Sequence, residues 1–516
     1  MSVATAQSAL EHPHEFALID ERQSIDWTSL DRILNQATNA LLNACSGLED
    51  RRLAVFAPNA VEVPIAHLAA LQAGISSVPV NFHLTADELE YILRDSGSQL
   101  LFVGPETAQV GLAAAGRVGI AAVVGWRTPP MDGLTAWDDW LATGSVEAPA
   151  GERKPLPHLH YTSGTTGRPK GTLTPPTMFP PTDTEQFFDI LRATWQAMGS
   201  PSPGLVVSPI YHTGPMGSIR MLGGGQALVL MSRFDAEQVL EAIDRYRVKA
   251  TLMVPTHFQR LLALPQDVRD KYNVSSLQVV HHTGAACPRD VKAQMIDWFG
   301  PVFVEAYGAT ESGTTNMISS QDWLERPGSV GRTLAPFELM IISDEGELLG
   351  ANQTGQIFFR DTSGRGIQFH NNAAQTLAAH RAPGVFTLGE VGHCDDDGYL
   401  YITDRVSDMI VSGGVNIYPA EVEQALQEHP EVADIAVIGV PNADFGEEVK
   451  ALIVPRDPAS PPSAAELDAY CRERIAGFKC PRTFEVRDDI GRNAMGKVNK
   501  RELRRPYWPS DRTIGG

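Results

Sequence analysis

From Arg52 onward the chain alternates short, wholly apolar runs with amphipathic stretches: LAVFAPN, VEVPIAHLAALQAG, ISSVPVN, LTADELEYILRDSG and QLLFVG follow almost without interruption. A strand with one solvated face alternates apolar and polar residues. A strand covered on both faces is apolar throughout, so this pattern predicts a parallel sheet with helices on either side. The intervening stretches carry their own start signals, as where Thr85 precedes the acidic turn of ADELEYIL in the manner of an N-cap. The theme returns at Gly204–Pro209, Gln226–Met231, Ala250–Val254, Leu277–His281 and Val302–Glu305. The expectation is an α/β fold, with a large N-terminal domain of doubly wound sheets over residues 1–405.

After Arg405 the texture changes. An apolar strand (Met409–Ser412), a glycine pair, a helix with acids in its first turn (Ala420–Gln427) and strands at Asp434–Val440 and Lys450–Val454 lead to the linker PRDPASPPS and a helix over Ala464–Ala476. Residues 406–516 therefore read as a small α+β domain of their own. Residues 172–182, TLTPPTMFPPT, hold four prolines and are expected to form either an extended ordered loop or a mobile one.

Charge and cysteine usage narrow the partners. With Lys+Arg 42 against Asp+Glu 62 the formal charge is −20, which speaks against nucleic acid or an anionic membrane surface but leaves room for a local cationic pocket. The five cysteines include no CxxC, the N-terminus lacks the basic and apolar regions of a signal peptide, and the run Val110–Trp126 is broken by Arg117. A cytoplasmic protein with no stable membrane insertion is expected.

The strongest local signal is Tyr161-Thr-Ser-Gly-Thr-Thr-Gly-Arg-Pro-Lys-Gly171, directly after the apolar HLHY. Thr162, Ser163, Thr165 and Thr166 supply hydroxyls, Gly164 and Gly167 a pliable backbone, and Lys170 a cation, which together suit a polyphosphate. The spacing is not that of GxxxxGK[ST]. The histidine pairs His158/His160 and His281/His282 lack metal-ligand spacing and read as strand residues. No GxSxG or GxGxxG is present.

This loop resembles the signature loop of the adenylate-forming superfamily, which holds acyl-CoA synthetases, firefly-type luciferases and peptide-synthetase adenylation domains. Further segments resemble that pattern in order: Pro209-Ile-Tyr-His-Thr-Gly214, Thr283-Gly-Ala-Ala286, Ala306-Tyr-Gly-Ala-Thr-Glu311, Gly328–Arg332, Asp397–Arg405, Ser412–Pro419 and Arg492–Lys500. The resemblance implies catalytic roles for Lys497, His212, Thr310 and Glu311. It implies nucleotide contacts from the loop just described and from Gly284, Ala285, Ala286, Tyr307, Gly308, Glu390 and Arg405. Ser407 would be the hinge, Ser412, Gly413 and Gly414 would line the path of CoA, and Glu311 would hold Mg²⁺. Three positions depart from the usual pattern: Glu390 stands where aspartate is common, Ser407 where Asp or Lys is, and Val415 where an acid is frequent.

The implied activity is that of an acid–thiol ligase of the fatty-acid or alicyclic type. It makes an acyl-AMP from a carboxylic acid and ATP, then a thioester with CoA, the C-terminal domain rotating between the two steps. An amide synthetase using an amine acceptor and a non-catalytic acyl-nucleotide binder are the alternatives, and a homodimer is the open alternative to a monomer. The acyl pocket is expected from Phe187–Met198, His212–Met221 and Val279–Gly284, although Phe187, Phe188, Ile190, Leu191, Trp195 and Met198 recur at the spacing of a core-facing helix.

Overall fold

The computed structural model describes residues 4–47, 51–162, 169–175, 182–199, 201–343, 345–405, 408–412, 415–442, 445–493 and 496–508, without the side chains of Arg405 and Asn416. The first predicted run folds as a parallel sheet in the order Ser76–Val80, Arg52–Phe56, Leu100–Val103, Ala122–Gly125, Leu134–Ala136. Ser76–Val80 and Leu100–Val103 are buried at every position, as coverage on both faces requires. Helix Glu62–Ala73 is likewise buried along its whole length. It packs on Arg52–Phe56 and Ser76–Val80 and against the helices Trp27–Ala44 and Thr213–Gly223. Helix Ala86–Ser96 starts at Thr85 with the expected cap, completed by Glu88.

The larger sheet has two halves. Its parallel half runs Phe16–Ile19, Leu228–Leu230, Gly204–Val206, Ala250–Met253, Val279–His282, Phe303–Ala309. It continues antiparallel through Gly313–Ser319, Gly331–Thr333, Tyr399–Arg405, Glu390–Cys394 and Gly355–Asp361. The antiparallel half departs from a purely doubly wound expectation. From Gly313 on, the connections carry only six-residue helices, Ser320–Glu325 and Ala373–Ala378, too short for a parallel crossover.

Strands Ile410–Ser412, Val415–Ile417, Val432–Asn442, Gly446–Pro455 and Thr483–Val486 form a separate sheet. Val422 and Leu426 of helix Pro419–Gln427 and Leu467 of helix Ala464–Arg472 close its core against Ile435, Val437 and Ala451. The second helix stops at Arg472, short of the predicted Ala476, and the chain tightens into a 3₁₀ turn over Gly477–Lys479. Asp404, on the larger sheet, accepts the Ala420 backbone N–H at 2.7 Å and so caps the first helix of the small domain from outside it. Among the described residues no helix is long and apolar enough to cross a membrane.

Candidate active site

In an open parallel sheet the loops leaving the carboxyl ends of the strands converge, and these loops carry most of the singled-out residues. Strand Gly204–Val206 leads to His212 and helix Thr213–Gly223, Val279–His282 to Gly284, Ala285 and Ala286, and Phe303–Ala309 to Thr310 and Glu311. The Thr213 hydroxyl donates to Thr310 Oγ1 at 2.8 Å, joining the first of these to the third. A Cβ on Gly308 would run into the Gly313 carbonyl, which is why the turn into Thr310 needs glycine there.

His212 sits at the N-cap of Thr213–Gly223 with its ring 4.1 Å from that of Tyr211. Its Nε2 is buried without a hydrogen-bond partner among the described residues. Burial first, then the charge of Lys497, then His160, push its pKa down to about 3, so the imidazole is neutral at pH 7. That influence of Lys497 sets a cation of the small domain beside a residue of the large one. The lysine's loop is braced by Arg492, whose Nε and Nη2 fork onto Asp434 at 2.7 Å each while Nη1 donates to the Gly496 carbonyl at 2.8 Å. Gly496, at φ 72°, packs on helix Pro255–Leu262, and a Cβ there would lie 2.8 Å from Thr256 Cγ2.

Thr162 and Lys170 face each other across the hairpin Leu159–Thr162/Lys170–Leu173. Tyr161 donates to Asp95 Oδ2 at 2.6 Å, and Tyr91 donates to the Pro169 carbonyl at 3.2 Å, so both ends of the intervening loop are tied down. Ser163, Gly164, Thr165, Thr166 and Gly167, like Ser407, Gly413 and Gly414, lie outside the described residues. Burial lowers the Lys170 pKa and the charge of Glu311 opposes that shift, which places the two within electrostatic reach. Glu311 offers one carboxylate beside this hairpin. That donor set suits Mg²⁺, which commonly takes one or two carboxylates and completes its shell with phosphates and water. Tyr307 donates to Glu390 Oε2 at 2.9 Å, and Glu390 pairs through its backbone with Arg405.

Three groups thus come together: His212 with Lys497 and Thr310, Lys170 with Glu311, and Tyr307 with Glu390. Ser412 lies in the hairpin Ile410–Ser412/Val415–Ile417, on a different element from Lys497. The pocket expectation fares unevenly. Phe187 and Phe188 of helix Thr184–Ala197 are buried in the main core, whereas Ile190 and Met198 are 43% and 49% exposed, so this helix divides between core and solvent. Met216 also belongs to that core. Sequence reasoning passed over Arg220, although it lies seven residues after Thr213 and hence on the same helix face.

The AMP-binding enzyme family matches residues 5–364, and the AMP-binding enzyme C-terminal domain matches residues 421–497. A feruloyl-CoA synthase of Amycolatopsis sp is 33% identical over 501 residues, covering 96% of each chain. A methyl-dioxo-octahydroindenyl-propanoyl:CoA ligase of Mycobacterium tuberculosis is 34% identical, covering 95% of this chain and 96% of that one. Among solved structures, the amide bond synthetase of Marinactinospora thermotolerans superposes with a TM-score of 0.81 at 25% identity, covering 98% of this chain and 99% of that one.

Proposed function

Since this chain belongs to the AMP-binding enzyme family, we propose that it is an AMP-forming acid–thiol ligase. It would activate a carboxylic acid with ATP as an acyl-adenylate, releasing pyrophosphate, and pass the acyl group to the thiol of coenzyme A. The observation that carries this reading is the seating of the Lys497 loop on Thr256, which brings the lysine's charge to bear on His212. The relatives named for a feruloyl and an indenyl-propanoyl acid, at 33% and 34% identity, support an acid that carries a ring. A cytoplasmic setting, where ATP and CoA are at hand, goes with it.

A carboxylate is a poor electrophile, and the mixed anhydride with AMP repairs this. One carboxylate oxygen attacks the α-phosphorus while the bond to pyrophosphate breaks, and the electron pair leaves with pyrophosphate. No general base is required, because the acid is already ionised at neutral pH. Charge building on the α-phosphate oxygens would meet Lys497 and the Thr310 hydroxyl, and charge on the departing pyrophosphate would meet Lys170 and the hydroxyls of Ser163, Thr165 and Thr166. Mg²⁺, which Glu311 would hold together with the phosphates, supplies further charge neutralisation when bound. Tyr307 and Gly284–Ala286 would flank the adenine, and Glu390 would accept from the ribose. For thioester formation residues 406–516 would turn about the Ser407 region, taking Lys497 away and bringing Ser412–Asn416 to the pantetheine.

Pyrophosphate–ATP isotope exchange across a panel of carboxylic acids tests the first half-reaction directly. Replacing Lys497 by alanine should lower that exchange by about a hundredfold or more, while ready-made acyl-adenylate is still converted to thioester. Equal loss of both half-reactions overturns the assignment. The likeness to an amide bond synthetase supports a second reading, in which an amine takes the acyl group. Competition between CoA and amines for the same adenylate separates the two.

A further inference from the structure

Helix Thr213–Gly223 has two unlike faces. Met216, Ile219 and Leu222 are in the main core, whereas Thr213, Gly217 and Arg220 are only half-buried. Thr213 fixes where the second face looks, because its hydroxyl bonds Thr310. The Arg220 guanidinium folds back along this face, with Nη2 3.7 Å from where a Cβ on Gly217 would stand. Long helical side chains lean toward the N-terminus in this way, and the absent side chain of Gly217 leaves the space. Gly217 lies four residues, or about 6 Å along the axis, beyond Thr213.

The surroundings of Arg220 do not satisfy it. Its charge is felt by His158 and His160, both kept neutral by burial, His160 at about 4 and His158 well below the usual histidine value. No carboxylate raises the guanidinium; burial alone pushes its pKa down to about 10, which leaves it cationic at neutral pH. Among the described residues its side chain has no hydrogen-bond acceptor and no ion-pair partner. Several other partly buried arginines among the described residues have acceptors: Arg127 pairs with Asp20 and Glu62, Arg492 with Asp434 and Arg504 with Asp408, and Arg153 donates to backbone carbonyls. A half-buried guanidinium whose five N–H donors meet no acceptor on the protein is open to a ligand, and its planar fork suits a carboxylate or other oxygen acceptor.

We propose that Arg220 is a specificity residue that binds a second oxygen acceptor on the acid, placed about one helical turn from the carboxylate that is activated. The acceptor is a ring ketone, a phenolic oxygen or a further carboxylate, and the acid is thereby distinguished from a plain alkyl or aryl acid. This rests on the ligase reading above, whose own failure shows differently: no acid of any kind would support pyrophosphate exchange.

The test compares kcat/KM for exchange between matched acids with and without the distal oxygen, with keto, phenolic and dicarboxylic arms run in parallel. The wild-type protein should favour at least one oxygenated arm about ten- to a hundredfold, the range of a hydrogen bond to a charged group. In Arg220→Met that ratio should fall to near unity. In Arg220→Lys, which keeps the charge but not the fork, a carboxylate preference should survive better than a ketone preference. Exchange with plain acids but no preference for any oxygenated arm in the wild type overturns the proposal without recourse to a variant. So does a preference that persists unchanged in Arg220→Met, whatever the absolute rates.

Discussion

Glu390 carries one methylene more than the aspartate common at its place, and the geometry shows how that length is used. Its Oε2 accepts the Tyr307 hydroxyl at 2.9 Å, linking the residue proposed to stack on adenine to the one proposed to hold ribose. A carboxylate has about four acceptor sites, so this bond leaves capacity for sugar hydroxyls. Glu390→Gln keeps the shape but turns one acceptor oxygen into an amide donor. It should raise KM for ATP about tenfold, with KM for the acid unmoved. Tyr307→Phe should raise it only a few-fold, since the carboxylate stays. Initial exchange rates at varied ATP give both values, and an equal rise in KM for the acid would contradict the nucleotide assignment. His212 makes a second residue-scale claim. With its pKa held near 3 by burial and Lys497, it is neutral throughout the range pH 5–8. The acidic limb of the adenylation pH profile should therefore be the same in wild type and His212→Gln; a limb near pH 6.5 that vanishes in the variant would refute this.

Among elements, the loop from Arg492 to Lys497 has the most specific role, because it joins two domains through one glycine. At φ 72° Gly496 lies where an L side chain is strained, and its Cα faces Thr256 too closely for a Cβ. Gly496→Ala should thus lower adenylation at least tenfold, through loop strain and obstructed docking together. Adding Thr256→Ala relieves only the obstruction, so the double variant should recover part of the loss, as single-turnover acyl-AMP formation would register. No recovery would mean that docking on Thr256 does not limit the step. The same elements show what could be read from sequence. Parallel strands such as Leu100–Val103 are apolar at each position and announce themselves. Strands such as Gly313–Ser319, with only three of seven positions buried, carry no such signal, and the antiparallel half of the large sheet went unseen. Lys497, Thr310 and Glu311, the residues proposed for the reaction, could be singled out because they stand in motifs that follow one another in order. Arg220 could not be, since apolar periodicity carries no signal for a charged residue on the half-buried face of a helix. Phe187 and Phe188, whose spacing is that of a core-facing helix, do lie in the core.

At the scale of the whole molecule, two effects of acid pull in opposite directions, and their sizes decide the outcome. The chain carries a formal charge of −20 at pH 7 and a pI near 5.1, so protonation toward pH 5.5 relieves self-repulsion and favours the compact state. Against this stand imidazoles folded away in neutral form, with pKa values pushed down by burial to about 3 for His67, His212 and His257 and about 4 for His160. For each, the unfolded chain takes up a proton near pH 6.5 and the folded chain does not. The stability they permit is therefore complete above pH 6.5 and is lost progressively as pH falls toward their folded values. By pH 5.5 each withdraws about 1.4 kcal/mol. Asp20, where burial is outweighed by Arg127 and backbone donors that hold its pKa below the ordinary carboxylate value, acts with the same sign but only in more acid solution. Surface repulsion is spread over exposed groups and screened by salt, with a Debye length of about 10 Å at 0.1 M, whereas buried sites are screened far less. The histidine effect should dominate. Urea unfolding in 0.5 M salt is expected to show a lower midpoint at pH 5.5 than at pH 7.5, with the loss already under way below pH 6.5. A midpoint that instead rises toward the pI would mean that relief of surface charge outweighs the buried imidazoles.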